Sequence, residues 1–145
     1  VQIDRSTSNI TSDAPMAAYF SPWQGIVLAE MANGRELLDL PSVATHEFGH
    51  ALDYFGRSSD DDSYSISKSL VPVIRAELRE LSEVQAYYAE HYTARSTTRE
   101  IFAEVYSAMY TPNKRTTAAF FANMTRAEVL RSFPRTVAAI ENLRF

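Results

Sequence analysis

Residues 45–55 read Thr-His-Glu-Phe-Gly-His-Ala-Leu-Asp-Tyr-Phe, with His46 and His50 four positions apart. On a helix that spacing stacks two side chains on one face, so both imidazoles can be aimed at a single ion. A zinc ion there would sit about 2.0–2.1 Å from each nitrogen. Glu47 is turned about 100° from His46, beside such an ion rather than beneath it. A carboxylate in that place can take a proton from a water polarised by the metal, the general-base step of a hydrolysis. The chain has only three histidines, and a random shuffle of its residues would produce H-E-x-x-H about 0.003 times. A bare His pair would read as two surface residues of an amphipathic helix. The intervening Glu47 and the small Gly49 favour a site.

Two imidazoles do not complete a catalytic zinc site, which takes three protein ligands and keeps one position open. An extended motif with Gly at 53 and His at 56 is ruled out, because Asp53 and Gly56 stand there. His91 is the one remaining histidine, so elimination favours an acidic third ligand. Asp60, Asp61 and Asp62 sit among serines and read as a solvated loop. Glu100 and Glu104, in Arg-Glu-Ile-Phe-Ala-Glu, share a helical face whose neighbours are apolar. Carboxylates among packed residues are costly unless paired or bound to metal. Spacing alone equally fits a solvent-facing Glu stripe.

HEFGHALDYF, followed about 50 residues later by EIFAE, resembles the metalloprotease domain of the anthrax lethal factor-like gluzincins. These belong to bacterial toxins and effectors, and the Pro-Pro endopeptidases are similar to them. The resemblance runs from Thr45 to the C-terminus and is sharp only in these two motifs. It implies a zincin-like fold, zinc bound by His46, His50 and Glu100, Glu47 as general base, and Glu104 supporting the ligands from behind. It also implies a Tyr that donates to the oxyanion; Tyr92 is nearest in position, one residue off the family spacing, with Tyr87, Tyr88 and Tyr106 left open. Peptide hydrolysis of a protein or peptide substrate is the implied reaction, in a protein secreted or delivered into a target cell. Ligating imidazoles normally give their second N–H to an outer acceptor. Asp53, three residues after His50, and Glu104 are both placed to receive it, although Asp53 also fits an exposed helix end.

Gly25–Glu30 (GIVLAE) reads as a strand, with Arg35–Leu40 as its pair or a lead-in. As a strand it is either a sheet edge that holds an extended peptide or part of a core. Pro41–Ser42 opens a helix that runs from Val43 to Phe55 and stops before Gly56. Arg57–Ser67 is a loop. Apolar residues at 70, 73, 74, 78, 81, 84 and 88 predict one helix from Ser69 to about His91, with Pro72 in its first turn. Thr97 or Thr98 is expected to cap a helix over Arg99–Tyr110. The tail carries one or two more helices, with Thr125 and Glu128 spaced as a capping box and Pro134 as punctuation. The expected architecture is α+β, a small N-terminal β-sheet followed by helices, in one domain over residues 1–145.

Composition removes several classes. With 145 residues and 46% hydrophobic content the chain can bury a core, and with no cysteine it has neither disulfides nor thiolate metal sites. No apolar run approaches a membrane span. A net charge of −4, from 14 basic and 18 acidic residues, argues against nucleic-acid binding and suits a substrate with basic residues. The start at Val1 without a signal pattern suggests a domain cut from a longer chain with other domains. Two non-enzymatic readings stand beside the hydrolase: a zinc module closed by a fourth ligand such as His91, and a partner-recruiting module on a protease-like fold.

Overall fold

In the computed structural model, residues 17–20, 25–28, 31–32, 35–36, 40–55, 65–111 and 124–143 are described, with side chains from residue 44 onward apart from that of His91. The expected α+β architecture is overturned. The residues described with their side chains are 85% helical and hold no strand, so the protein is mostly helical. Extended pairing is confined to the stretch ahead of them, as two separate antiparallel pairs: β1 (Ala17–Phe20) with β2 (Gly25–Leu28), and β3 (Met31–Ala32) with β4 (Arg35–Glu36). The apolar Gly25–Leu28 segment finds its second partner in a helix, since β1 and β2 both lie against α1. Asp60–Asp62 lie outside the described residues.

Among the described residues seven helices follow: α1 (Leu40–Phe55), α2 (Ser65–Ser69), α3 (Val71–Leu78), α4 (Ser82–His91), α5 (Ala94–Tyr110), α6 (Arg126–Ser132) and α7 (Pro134–Glu141). The helix expected over 69–91 is broken in two. Around Arg79–Leu81 the backbone tightens to i→i−3 bonds, Glu80 N to Glu77 O at 3.2 Å and Leu81 N to Leu78 O at 3.0 Å, and Leu81 leaves helical space at φ −120°, ψ 75°. Apolar spacing continues through this turn, which is why periodicity does not reveal it. Residues 65–67, expected as the end of a loop, instead form the first part of the short α2. The cap of α5 moves as well: Thr93 Oγ1 accepts from Ser96 N, while Thr97 and Thr98 donate their hydroxyls back to Thr93 O and Ala94 O inside the helix. At α6 the capping box forms with Thr125 and Glu128 as its two ends.

Helix α5 is the centre of the molecule. Residues 101–105 are all buried, so this helix is enclosed on every side, and α1, α2, α3, α4, α6 and α7 all pack on it. Its apolar partners include Ile74, Tyr88, Val129 and Phe133. Arg126 closes its C-terminal end by donating Nε to Ala108 O at 2.5 Å, a cation on the last carbonyls. The buried Glu77 carboxylate accepts from the Arg135 and Thr136 backbone N–H groups and from the Thr136 hydroxyl, at 2.6, 3.2 and 2.6 Å, which anchors α7 to α3.

The α1–α5 crossing is the contact that positions the metal-ligand motif. At Gly49 an added Cβ would stand 3.1 Å from Ala103 Cα and 3.3 Å from a Tyr106 ring carbon. The glycine is therefore needed for backbone approach between two helices, with Ala103 as its small counterpart. Helix propensity alone would return about 1 kcal/mol for Gly→Ala, but overpacking against backbone costs about 1–3 kcal/mol. Gly49→Val, which also brings a branched Cβ, is expected to lower stability by about 1–3 kcal/mol in denaturant unfolding. Unchanged stability would show that the crossing has room to spare.

Candidate metal centre

Three turns of α1 and α5 bring the expected residues together. His46 and Gly49 meet α5 where Glu100, Ala103 and Glu104 face them, so residues more than 50 positions apart in the chain become neighbours. His46 Nδ1 lies 3.0 Å from Glu104 Oε2, and His46 Nε2 lies 3.2 Å from Glu100 Oε2. His50 Nε2 lies 3.0 Å from Glu100 Oε1. The two imidazoles are edge to face, with ring centroids 4.8 Å apart. Glu100 thus spans both imidazoles through its two oxygens, while Glu104 holds the opposite nitrogen of His46.

Ligand atoms from His46, His50 and Glu100 all fall within 4.8 Å of one another, and this group could hold a metal ion. Burial is graded across it. The side chains of His46 and Glu104 are 2% and 3% exposed, those of His50 and Glu100 13% and 18%. The cluster is therefore closed on the Glu104 side and opens to solvent past His50 and Glu100.

Electrostatics follow from that burial. For His46, desolvation pushes the imidazole towards neutrality, but hydrogen bonds to Glu100 and Glu104 outweigh it and raise its pKa to about 10. For Glu100, burial raises the carboxyl, and the hydrogen bonds from His46 and His50 overcome it and hold the group well below the usual carboxylate range.

Glu47 is buried on α1. Tyr92, the residue that ends α4 immediately before the Thr93 cap of α5, is half-buried. Desolvation first, then the negative charges of Glu100 and Glu47, push the Tyr92 hydroxyl up to about 12, so it stays protonated and able to donate. The other tyrosines are placed differently. Tyr88 is 1% exposed and feels Glu104 and Glu100 from within the core. Tyr87 feels Glu100 but not Glu47, and Tyr106 packs on Phe48, Phe102 and Tyr110, away from the carboxylates.

Asp53 is fully buried, so it is not an exposed helix end. Its Oδ1 accepts from Ser67 N at 2.8 Å and ties α1 to α2, and among the described residues its Oδ2 has no hydrogen-bond partner. Burial raises its pKa against the pull of Ser67, His50 and Arg99. Ser67 was not expected as a partner; no motif at sequence level marks a backbone donor. No helix among the described residues is long and apolar enough to cross a membrane. Comparison with known proteins finds no matching family, no matching curated protein and no matching solved structure.

Two outcomes test this geometry. A group whose pKa rises on folding stabilises below its unfolded value and loses that contribution as pH climbs through the folded value. In the metal-free protein the His46 contribution is thus complete below pH 6.5 and is lost on approaching about pH 10. Thermal melting in a chelator is expected to show stability declining across that window, with a shallower decline for Glu104→Gln; equal profiles would refute the pairing. Separately, Glu104→Ala is expected to weaken divalent-cation affinity about 10–100-fold in a competition titration, because His46 loses the acceptor that orients it.

Proposed function

We propose that this chain is a zinc-dependent endopeptidase of the lethal factor-like gluzincin type. The observation that carries the reading is the convergence of His46, His50 and Glu100 on one partly open point, near enough to Tyr92 that its hydroxyl feels the charges of both Glu100 and Glu47. The donor set suits zinc, which favours imidazole nitrogen with a carboxylate oxygen. One Glu100 oxygen stands 3.2 Å from His46 Nε2 and the other 3.0 Å from His50 Nε2, so the carboxylate faces both imidazoles at once. The pattern of burial supports an open coordination position on the solvent side, as catalysis needs and a closed structural site lacks. As in the resemblance drawn from its motifs, we place the protein among secreted or translocated bacterial effectors that cleave a target-cell protein.

His46, His50 and Glu100 would hold the ion, and Glu104 would fix His46 with its Nδ1–H turned away from the metal. When bound, the ion supplies Lewis acidity, polarising the scissile carbonyl and easing deprotonation of water. Glu47 takes the proton from the attacking water as the new C–O bond forms, and returns it to the amine as the C–N bond breaks. The Tyr92 hydroxyl, kept protonated by burial and its acidic neighbours, donates to the oxygen on which charge develops.

The test compares zinc-loaded wild type with Glu47→Gln and Tyr92→Phe on a proteome-derived peptide library. Glu47→Gln is expected to keep full zinc content by metal analysis and to lose cleavage. Tyr92→Phe is expected to lower kcat about 100- to 1,000-fold with little change in KM. Full activity in Glu47→Gln, or zinc bound without any cleavage by wild type, would overturn the reading.

A further inference from the structure

Behind Tyr92, between α3, α4 and the start of α5, lies an open cavity of about 460 Å³, within the size range of ligand pockets. Its floor includes Ile74, Leu78 and Tyr88, all buried, and its lining includes Tyr92, whose hydroxyl feels the Glu100 carboxylate of the candidate metal centre. Arg75 and Arg79 line it from α3. They stand four residues apart on one helical face, where like charges repel one another. Both are exposed, and among the described residues neither guanidinium has an ion-pair partner. In a chain of net charge −4 this is a local reversal of sign. An apolar floor under two unneutralised guanidinium forks is complementary to an apolar group carrying a nearby carboxylate.

We propose that this cavity is a substrate subsite for a peptide segment in which an apolar residue is flanked by an acidic one. The apolar side chain occupies the floor and the carboxylate lies between Arg75 and Arg79. Tyr92 is common to the subsite and the candidate metal centre, so a peptide seated there is led to the reacting position. The subsite rests on the endopeptidase reading and adds a substrate class to it. It also departs from the preference for basic residues that net charge alone suggests, because local charge at the binding surface governs recognition.

The experiment uses binding and cleavage in parallel. Zinc-loaded Glu47→Gln protein is titrated with two fluorescein-labelled dodecapeptide pools, one with a fixed Leu-Glu and one with a fixed Leu-Lys, in the otherwise native background and with Arg75→Glu/Arg79→Glu. Preference for the Leu-Glu pool by about tenfold, which corresponds to about 1.4 kcal/mol, and its inversion on charge reversal, is expected. An Arg75→Gln/Arg79→Gln protein should lose the preference without inverting it. Unchanged affinities in the charge-reversed protein would overturn the subsite. Cleavage of the same pools by zinc-loaded wild type separates the two claims. Arg-dependent binding with no cleavage would sink the endopeptidase reading and leave the subsite, whereas cleavage indifferent to Glu or Lys would sink the subsite and leave the endopeptidase.

Discussion

A carboxylate sits in the middle of the most enclosed helix of this protein, and it can stay there only because an imidazole meets it. Glu104 is flanked along the chain by Ala103 and Val105, both fully buried. An unpaired charge in such surroundings costs several kcal/mol. His46 Nδ1 at 3.0 Å offsets that cost and in doing so sets the rest of the site. With Nδ1 turned to Glu104, His46 must present Nε2 to Glu100, and Glu100 in turn reaches His50. The same bond that makes the core tolerable therefore selects the nitrogen available to a metal.

That chain of contacts depends on the distance between α1 and α5. Gly49 and Ala103 let the two backbones come close enough for short acidic side chains to reach the rings, and bulk at either position would separate them. The enclosed character of α5 supports this precision, since six helices fix its position. Tyr92 owes its place to the same helix from the other end. It closes α4 one residue before Thr93 caps α5, so its ring is held at a rigid junction and not on a long loop. A hydroxyl at such a junction is pre-positioned, which is what a transition-state donor needs.

Much of this was legible along the chain where the determinants are local. The α1 helix, the capping box at Thr125 and Glu128, and the start of α7 at Pro134 rest on interactions between residues three or four apart. The errors fall where local rules compete with packing. Thr97 and Thr98 are adequate caps by type, but their hydroxyls bond back within α5 and Thr93 takes the role, because α4 ends at Tyr92 and the new helix must begin at once. The break at Arg79–Leu81 escapes detection because a tight turn preserves the apolar spacing on both sides. The expected sheet is reduced to two separate strand pairs, the first of which lies against α1, because a short apolar segment can pack on a helix as readily as on more strands.

Order along the polymer determined the spacing of His46, Glu47 and His50 and hence their helical faces, since the 3.6-residue repeat converts sequence distance directly into direction. It also determined that no thiolate competes with them, as the chain has no cysteine. It did not determine whether Glu100 and Glu104 face water or the imidazoles, because either is consistent with an amphipathic helix. Only the tertiary structure decided that, by burying Glu104 against His46 and setting the partly exposed Glu100 across both imidazoles. It decided too which Tyr feels the charge of Glu47 and which arginines line the cavity beside that Tyr, as these are relations between helices and no spacing rule carries across a helix crossing.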